Sequence, residues 1–212
     1  MAVKVNEIFH SIQGESSWAG LPCVFIRLTG CNLRCAYCDT SYAYEQGLLM
    51  EIPDILEQVR PMRCNLVEVT GGEPLIQQET PSLIGRLLDE GHTVLLETNG
   101  SIDTGGVDPR CIRIVDIKCP SSGMAGQNDL HNLKRLRIKD ELKFVVGNRE
   151  DYEFAKDLLS TFPALRCKIN FSPVSGELSP RSLAEWILHD RLSVRLNLQL
   201  HKIIWGPEAR GV

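Results

Sequence analysis

The sequence predicts an α/β fold: a parallel β/α barrel that is open, or partial, rather than closed. Three observations predict it. Short apolar runs alternate with amphipathic helical segments along the chain; polar residues collect where the apolar runs end; and the runs number seven, too few for an eight-stranded ring. At 212 residues the chain suits one domain, residues 1–212, with a capping segment at 1–21 and the partial barrel at 22–212.

The capping segment is the extended stretch KVNEIFHSIQGE, beginning at Lys4. The barrel strands follow as PCVFIRLTG from Pro22, NLVEVTGG from Asn65, HTVLLETNG from His92, CIRIVDIK from Cys111, ELKFVVG from Glu141, RCKINFSP from Arg166 and SVRLNLQLH from Ser193. Each is short and near-continuously apolar, as strands buried on both faces are, and each ends in polar residues, Gly or Pro. The intervening helices are IPDILEQVR, TPSLIGRLLDEG, DLHNLKRL, REDYEFAKDLLSTF and SPRSLAEWILHD. In the second, Leu83, Leu87 and Leu88 have helical spacing and Gly91 supplies a C-terminal stop. Repeated β–α units impose parallel strands with right-handed crossovers. The polar groups at residues 29–31, 70–73, 97–99, 116–118, 172–173 and 199–202 all follow or finish a strand, which places them on the C-terminal rim where barrels gather their active sites.

Lys and Arg total 23 against 27 Asp and Glu, a formal charge of -4. That balance disfavours a nucleic-acid binder, including a tRNA-binding modifier, because phosphate contacts need a basic face. The one basic cluster, KRLRIK from Lys134, reads as a solvated helix end running into a strand. No stretch reaches membrane-span length and MAVKVNEIFH is not a signal peptide, so the expectation is a cytoplasmic protein whose eight cysteines are thiols or metal ligands. Cys23, Cys64, Cys111, Cys119 and Cys167 are scattered singly and read as small buried hydrophobes.

The other three stand together in TGCNLRCAYCDTSY, which begins at Thr29. Cys31, Cys35 and Cys38 can converge on one centre from a single loop. A zinc site would draw a second Cys or His pair from elsewhere, yet His10, His92, His131, His189 and His201 show no ligand spacing. A 4Fe–4S electron carrier would use four cysteines. Three leave one iron open to a small molecule.

The Cys31-x3-Cys35-x2-Cys38 pattern, with Tyr37 before the last cysteine, resembles the signature of the radical S-adenosylmethionine (SAM) superfamily. The resemblance implies a partial barrel of that type and a 4Fe–4S cluster on the three cysteines. Its open iron would chelate SAM and reductively cleave it to a 5′-deoxyadenosyl radical. TGGEP from Thr70 resembles the superfamily's SAM-amino segment, which makes Gly72 and Glu73 cofactor contacts. Tyr37, Cys38, Asp39, Asp116, Ile117, Lys118 and Ser172 occupy positions that resemble further SAM contacts.

The flanks carry a narrower likeness. SIQGE from Ser11, Arg27, CDT ending at Thr40, ETNG from Glu97 and LQLHKIIW from Leu198 together resemble the 7-carboxy-7-deazaguanine synthases, over essentially the whole chain. That likeness implies conversion of 6-carboxy-5,6,7,8-tetrahydropterin to 7-carboxy-7-deazaguanine with loss of ammonia, on the route to queuosine and other deazapurines. It implies Mg2+ held by Thr40, and Arg27, Glu15 and Glu97 as catalytic residues. Ile12, Gln13, Gly14, Arg27, Thr70 and His201 would contact substrate. An electron donor such as flavodoxin or ferredoxin and a homodimer are further expectations, with neither nucleic acid nor membrane as a partner. Two other readings stay open: a glycyl-radical-activating enzyme acting on a protein, and a non-catalytic iron–sulfur electron-transfer module.

Overall fold

The computed structural model describes residues 1–207 and 209–212. Its centre is a nine-stranded sheet built from β1 (Ala2–Ile12), β2 (Pro22–Leu28), β3 (Leu48–Glu51), β4 (Leu66–Gly71), β5 (Thr93–Thr98), β6 (Ile112–Ile117), β7 (Glu141–Val146), β8 (Lys168–Pro173) and β9 (Arg195–Leu196), in the order β3-β1-β2-β4-β5-β6-β7-β8-β9. From β2 to β9 every pairing is parallel, and the sheet is left open, as expected. Among the described residues six α-helices accompany it: α1 (Ile52–Val59), α2 (Thr80–Asp89), α3 (His131–Arg135), α4 (Arg149–Thr161), α5 (Pro180–Asp190) and α6 (Leu200–Trp205).

Three elements differ from the sequence expectation. The N-terminal segment is a sheet strand in its own right, antiparallel to β2, and it sets Glu7 opposite Arg27. Outside it lies an unexpected edge strand, β3, whose Leu48 and Leu49 are exposed. The run from Ser193 makes only a two-residue strand: Asn197 N still bonds Phe171 O at 2.9 Å, after which the chain leaves the sheet and coils into α6. His201 therefore sits on a helix, not at a strand end.

The strands are not apolar on both faces. Their outer residues, such as Ile26, Val69 and Leu96, pack on Leu56 of α1 and Leu83, Ile84 and Leu87 of α2. Further along, Val115, Leu142, Phe144 and Phe171 pack on Tyr152 of α4 and Leu183 of α5. The alternate positions point inward, and there β4 to β8 carry Glu68, Thr70, Glu97, Asp116, Glu141, Lys143, Asn170 and Ser172. At the end where the strands begin, Cys23, Phe25, Leu66, Leu95 and Ile114 form an apolar plug with Trp18 packed against it. The turn carrying Trp18 is fastened to the barrel through Glu141, which accepts from Ser17 N at 3.0 Å and Asn170 Nδ2 at 2.7 Å. One end is thus stoppered, and the rim end is left for chemistry.

The scattered cysteines match their reading closely: Cys23, Cys111, Cys119 and Cys167 are buried free thiols, while Cys64 is half-buried.

Candidate active site

The C-terminal ends of β2, β4, β5, β6 and β7 open into one cavity of about 270 Å³. Cys31, Cys35 and Cys38 line it from the loop after β2, all three free and half-exposed. Ala36 N anchors that loop on Ser122 O at 3.0 Å, and Leu33 N points at Cys31 Sγ from 3.4 Å. No three Cys, His, Asp or Glu side chains among the described residues gather closely enough to hold a single metal ion. Three separated thiols on one wall fit instead a polynuclear cluster in which each of three irons takes one sulfur.

Beside the thiols the wall is backbone. Gly72 lies so close to the cysteine loop that a Cβ there would stand 2.3 Å from Gly30 O and 2.6 Å from Cys31 Cβ. Glu73 N donates to Gly30 O at 2.8 Å and locks that approach. The Glu73 side chain does not reach the cavity. It is buried and accepts from Leu75 N at 2.9 Å, Thr98 Oγ1 at 2.9 Å and Asn99 N at 2.7 Å, tying two strand ends together. Burial pushes its carboxyl above the ordinary range despite those donors. Ile117 belongs to the helix-facing core, and the fully buried Ser172 is absent from the wall. The other cofactor candidates, Tyr37, Cys38, Asp39, Gly72, Asp116 and Lys118, all line it. Asp116 Oδ2 takes Lys118 Nζ at 2.9 Å, while its buried Oδ1 has no partner among the described residues, an acceptor suited to a ligand hydroxyl.

Across the cavity stand all the substrate candidates: Ile12, Gln13, Gly14, Glu15, Arg27, Thr70, Glu97 and His201. Arg27 spends its Nε on Glu7 Oε1 at 2.7 Å, which also accepts Tyr42 OH at 2.8 Å. The rings of Phe9 and Tyr42 flank the guanidinium at 5.8 Å each. One edge is thereby fixed, and among the described residues nothing hydrogen-bonds the terminal nitrogens, which can meet an anion. Thr40 lines the same space, but its hydroxyl donates to Asp39 Oδ1 at 3.0 Å, and Asp39 pairs with Lys202 at 2.6 Å. Burial alone would raise Asp39; Lys202 instead brings it down to about 2.

Two residues at the centre were missed in the sequence reading. Lys143, nearly sealed from solvent, bridges Glu15 and Glu97, with Nζ 2.7 Å from Glu97 Oε1. Burial opposes its charge, but the two carboxylates hold it well above its ordinary value. Glu15 mirrors this: burial would raise it, and Lys143 brings it below. Glu68 lies one layer deeper and accepts from Gln13 Nε2. A charged residue inside an apolar run, two places before a rim residue as Glu68 is before Thr70, was the signal for it.

The roof is α6. Leu200 N donates to Gly14 O at 2.9 Å and Gln199 Nε2 to Glu15 Oε1 at 2.7 Å. His201 packs closely on Gly14, so a Cβ there would fall 2.1 Å from its Nδ1. Gly14→Ala should consequently lift α6 and lower kcat/KM by about 100-fold, since a displacement near 1 Å can cost that much. A melt within a few degrees of the parent, beside the kinetic loss, would place the damage in the roof rather than the fold.

The comparisons with known proteins fit this chamber. The radical SAM superfamily model matches residues 25–118. A 7-carboxy-7-deazaguanine synthase of Chlorobaculum tepidum is 50% identical, over 99% of this chain and 97% of its own. One from Koribacter versatilis is 42% identical, over 99% and 100%. The crystal structure of QueE from Escherichia coli superposes with a TM-score of 0.80 at 26% identity, covering 94% of each chain. Three thiols, an anion-ready arginine and full-length likeness at these identities agree: the chain belongs to the 7-carboxy-7-deazaguanine synthases of the radical SAM superfamily.

Proposed function

We propose that this cavity makes 7-carboxy-7-deazaguanine from 6-carboxy-5,6,7,8-tetrahydropterin, with loss of ammonia. The observation that carries the reading is that one chamber holds the three cysteines on one wall and Arg27, Gln13, Glu15 and Glu97 on the other. A glycyl-radical-activating enzyme would need a groove for a protein and an electron carrier would need no chamber; neither accounts for those polar groups.

Cys31, Cys35 and Cys38 would hold a 4Fe–4S cluster, and Gly72, Asp116 and Lys118 would face SAM. With both bound, the site is supplied with a 5′-deoxyadenosyl radical. The chain's own part is to place substrate. Arg27 offers its free edge to the pterin carboxylate, and Gly14 and Glu15 present acceptors to the amino-bearing edge. Lys143 keeps Glu15 ionised so that it accepts rather than donates. Glu97, beside Thr70 Oγ1 at 3.5 Å, faces the same space and is placed to take or return a proton as ammonia departs. Thr40 would join the substrate carboxylate in holding Mg2+, an ion that keeps most of its waters. The α6 roof and the apolar plug exclude bulk water from the reaction.

A small-molecule substrate and a reductant suit a radical SAM enzyme; flavodoxin or ferredoxin as donor, a homodimer and the cytoplasm complete the proposal. No helix among the described residues is long and apolar enough to cross a membrane. Anaerobic incubation of the reconstituted enzyme with SAM, dithionite and the carboxypterin is expected to yield the deazaguanine acid, at a rate that rises on adding Mg2+. Cleavage of SAM without that product would overturn the assignment.

A further inference from the structure

Glu68 is the least explained group in the barrel. It stands in the middle of β4, 2% exposed, between the apolar plug formed by Leu66, Leu95 and Ile114 and the floor of the cavity. Gln13 Nε2 donates to its Oε2, while Gln13 Oε1 accepts from Glu15 N at 2.9 Å, so both ends of that amide are committed. On its other side β5 runs parallel to β4 with Leu95 opposite Glu68, so the inward-facing Glu97 is the diagonal neighbour of Glu68 across the strand pair. Two carboxylates cannot bond each other without a proton, because both are acceptors only.

The surrounding charges point the same way. Lys143 of β7 is already shared between Glu15 and Glu97. From β2, Arg27 is paired with Glu7, and Cys23 remains a thiol because burial pushes it up. His201, over Glu15, is pushed down by burial toward its neutral form. With Glu15, Glu68 and Glu97 all ionised around one ammonium, two negative charges would go uncompensated beside the nearly sealed Glu68; one proton removes half of that excess. Burial and the neighbouring charges of Glu97 and Glu15 hold Glu68 well above the usual carboxylate range, in keeping with this count.

We propose that Glu68 is a positioning residue that holds one proton in common with Glu97, and that this shared proton fixes Gln13 and Glu97 in the orientations they present to substrate. The inference rests on the proposed function only for what the substrate is. The pair behaves as a unit: it carries one negative charge while the proton is present, and loses its geometry when a second charge forces the carboxyls apart.

The test is infrared spectroscopy of the holoenzyme, carbon-13-labelled in its glutamate carboxyls, near neutral pH and without substrate. A carbonyl band of a neutral carboxylic acid is expected, absent in Glu68→Gln and shifted in Glu97→Gln. The pH profile of kcat/KM is expected to show an alkaline limb that is lost in Glu68→Gln, an isostere whose merely structural effect would leave the limb in place. If no neutral-acid band depends on Glu68, or the limb persists in Glu68→Gln, the proposal is overturned. Should Glu68→Gln not fold, the Glu97→Gln shift decides alone, and an unmoved band overturns it. Because the band is read without substrate, a wrong substrate assignment leaves this result intact.

Discussion

Gly72→Ala is expected to cost the enzyme most of its iron, and about 100-fold or more of its activity. The new Cβ would meet Gly30 O at 2.3 Å and Cys31 Cβ at 2.6 Å, and neither is the yielding tip of a long side chain. One is backbone and the other is the root of a cluster ligand. The two loops must part, which lengthens the 2.8 Å bond from Glu73 N to Gly30 O and swings Cys31 away from its companions. Overpacking of this kind costs about 1–3 kcal/mol, small enough for the barrel to survive. Displacing a ligand by about an ångström is not tolerated in the same way, because reacting groups lose about 100-fold for such an error. Iron and sulfide analysis of the reconstituted variant, alongside its melting curve, separates the two. Full iron content in a folded Gly72→Ala protein would contradict this account of the wall.

Lys143→Met should destabilise the protein by about 3–5 kcal/mol near neutral pH, the usual consequence of removing one member of a buried ion pair. Methionine replaces the length of the side chain but strands Glu15 and Glu97, both of which lean on Nζ. The pH dependence should change sign. In the parent, Glu15 titrates below its ordinary value of 4.5, so its contribution is present above that pH and is lost as the pH falls through the folded-state value. Without Lys143, burial dominates and Glu15 titrates above 4.5 when folded. The folded state then binds more protons than the unfolded one over that interval, and stability declines as pH rises through it. Urea midpoints taken at pH 5 and pH 7.5 should therefore be higher at the lower pH in the variant. Equal midpoints at the two values would mean that Lys143 is not what keeps Glu15 charged.

The parallel strands, the helices between them and the rim were legible in the sequence because each rests on a local signal. Apolar runs broken by Thr-Gly, Glu-Thr-Asn or Asp-Ile-Lys announce where a strand stops, and the loops after such stops share one end of a parallel barrel. The interior was not legible in the same way. Glu68 and Lys143 sit in runs that read as near-continuously apolar, and only the curvature of the sheet turns their side of the strand into the lining of a chamber. β3 was hidden because its Leu48 and Leu49 are exposed on a sheet edge, so no buried pattern marks it. The last run misled because alternating apolar residues from Ser193 fit a strand, whereas Gly14 offers its carbonyl to Leu200 N and draws that segment into a helix instead. Likewise, Glu73 is conspicuous within TGGEP, but its carboxylate is spent on Leu75, Thr98 and Asn99.

The bond from Gln199 to Glu15 joins groups 184 positions apart. Closing so long a span is entropically expensive and slow, so the roof settles after the strands beneath it have paired. A ribosome-bound chain would carry its cysteine loop well before α6 exists, leaving an interval in which iron and sulfide can be installed through an unroofed mouth.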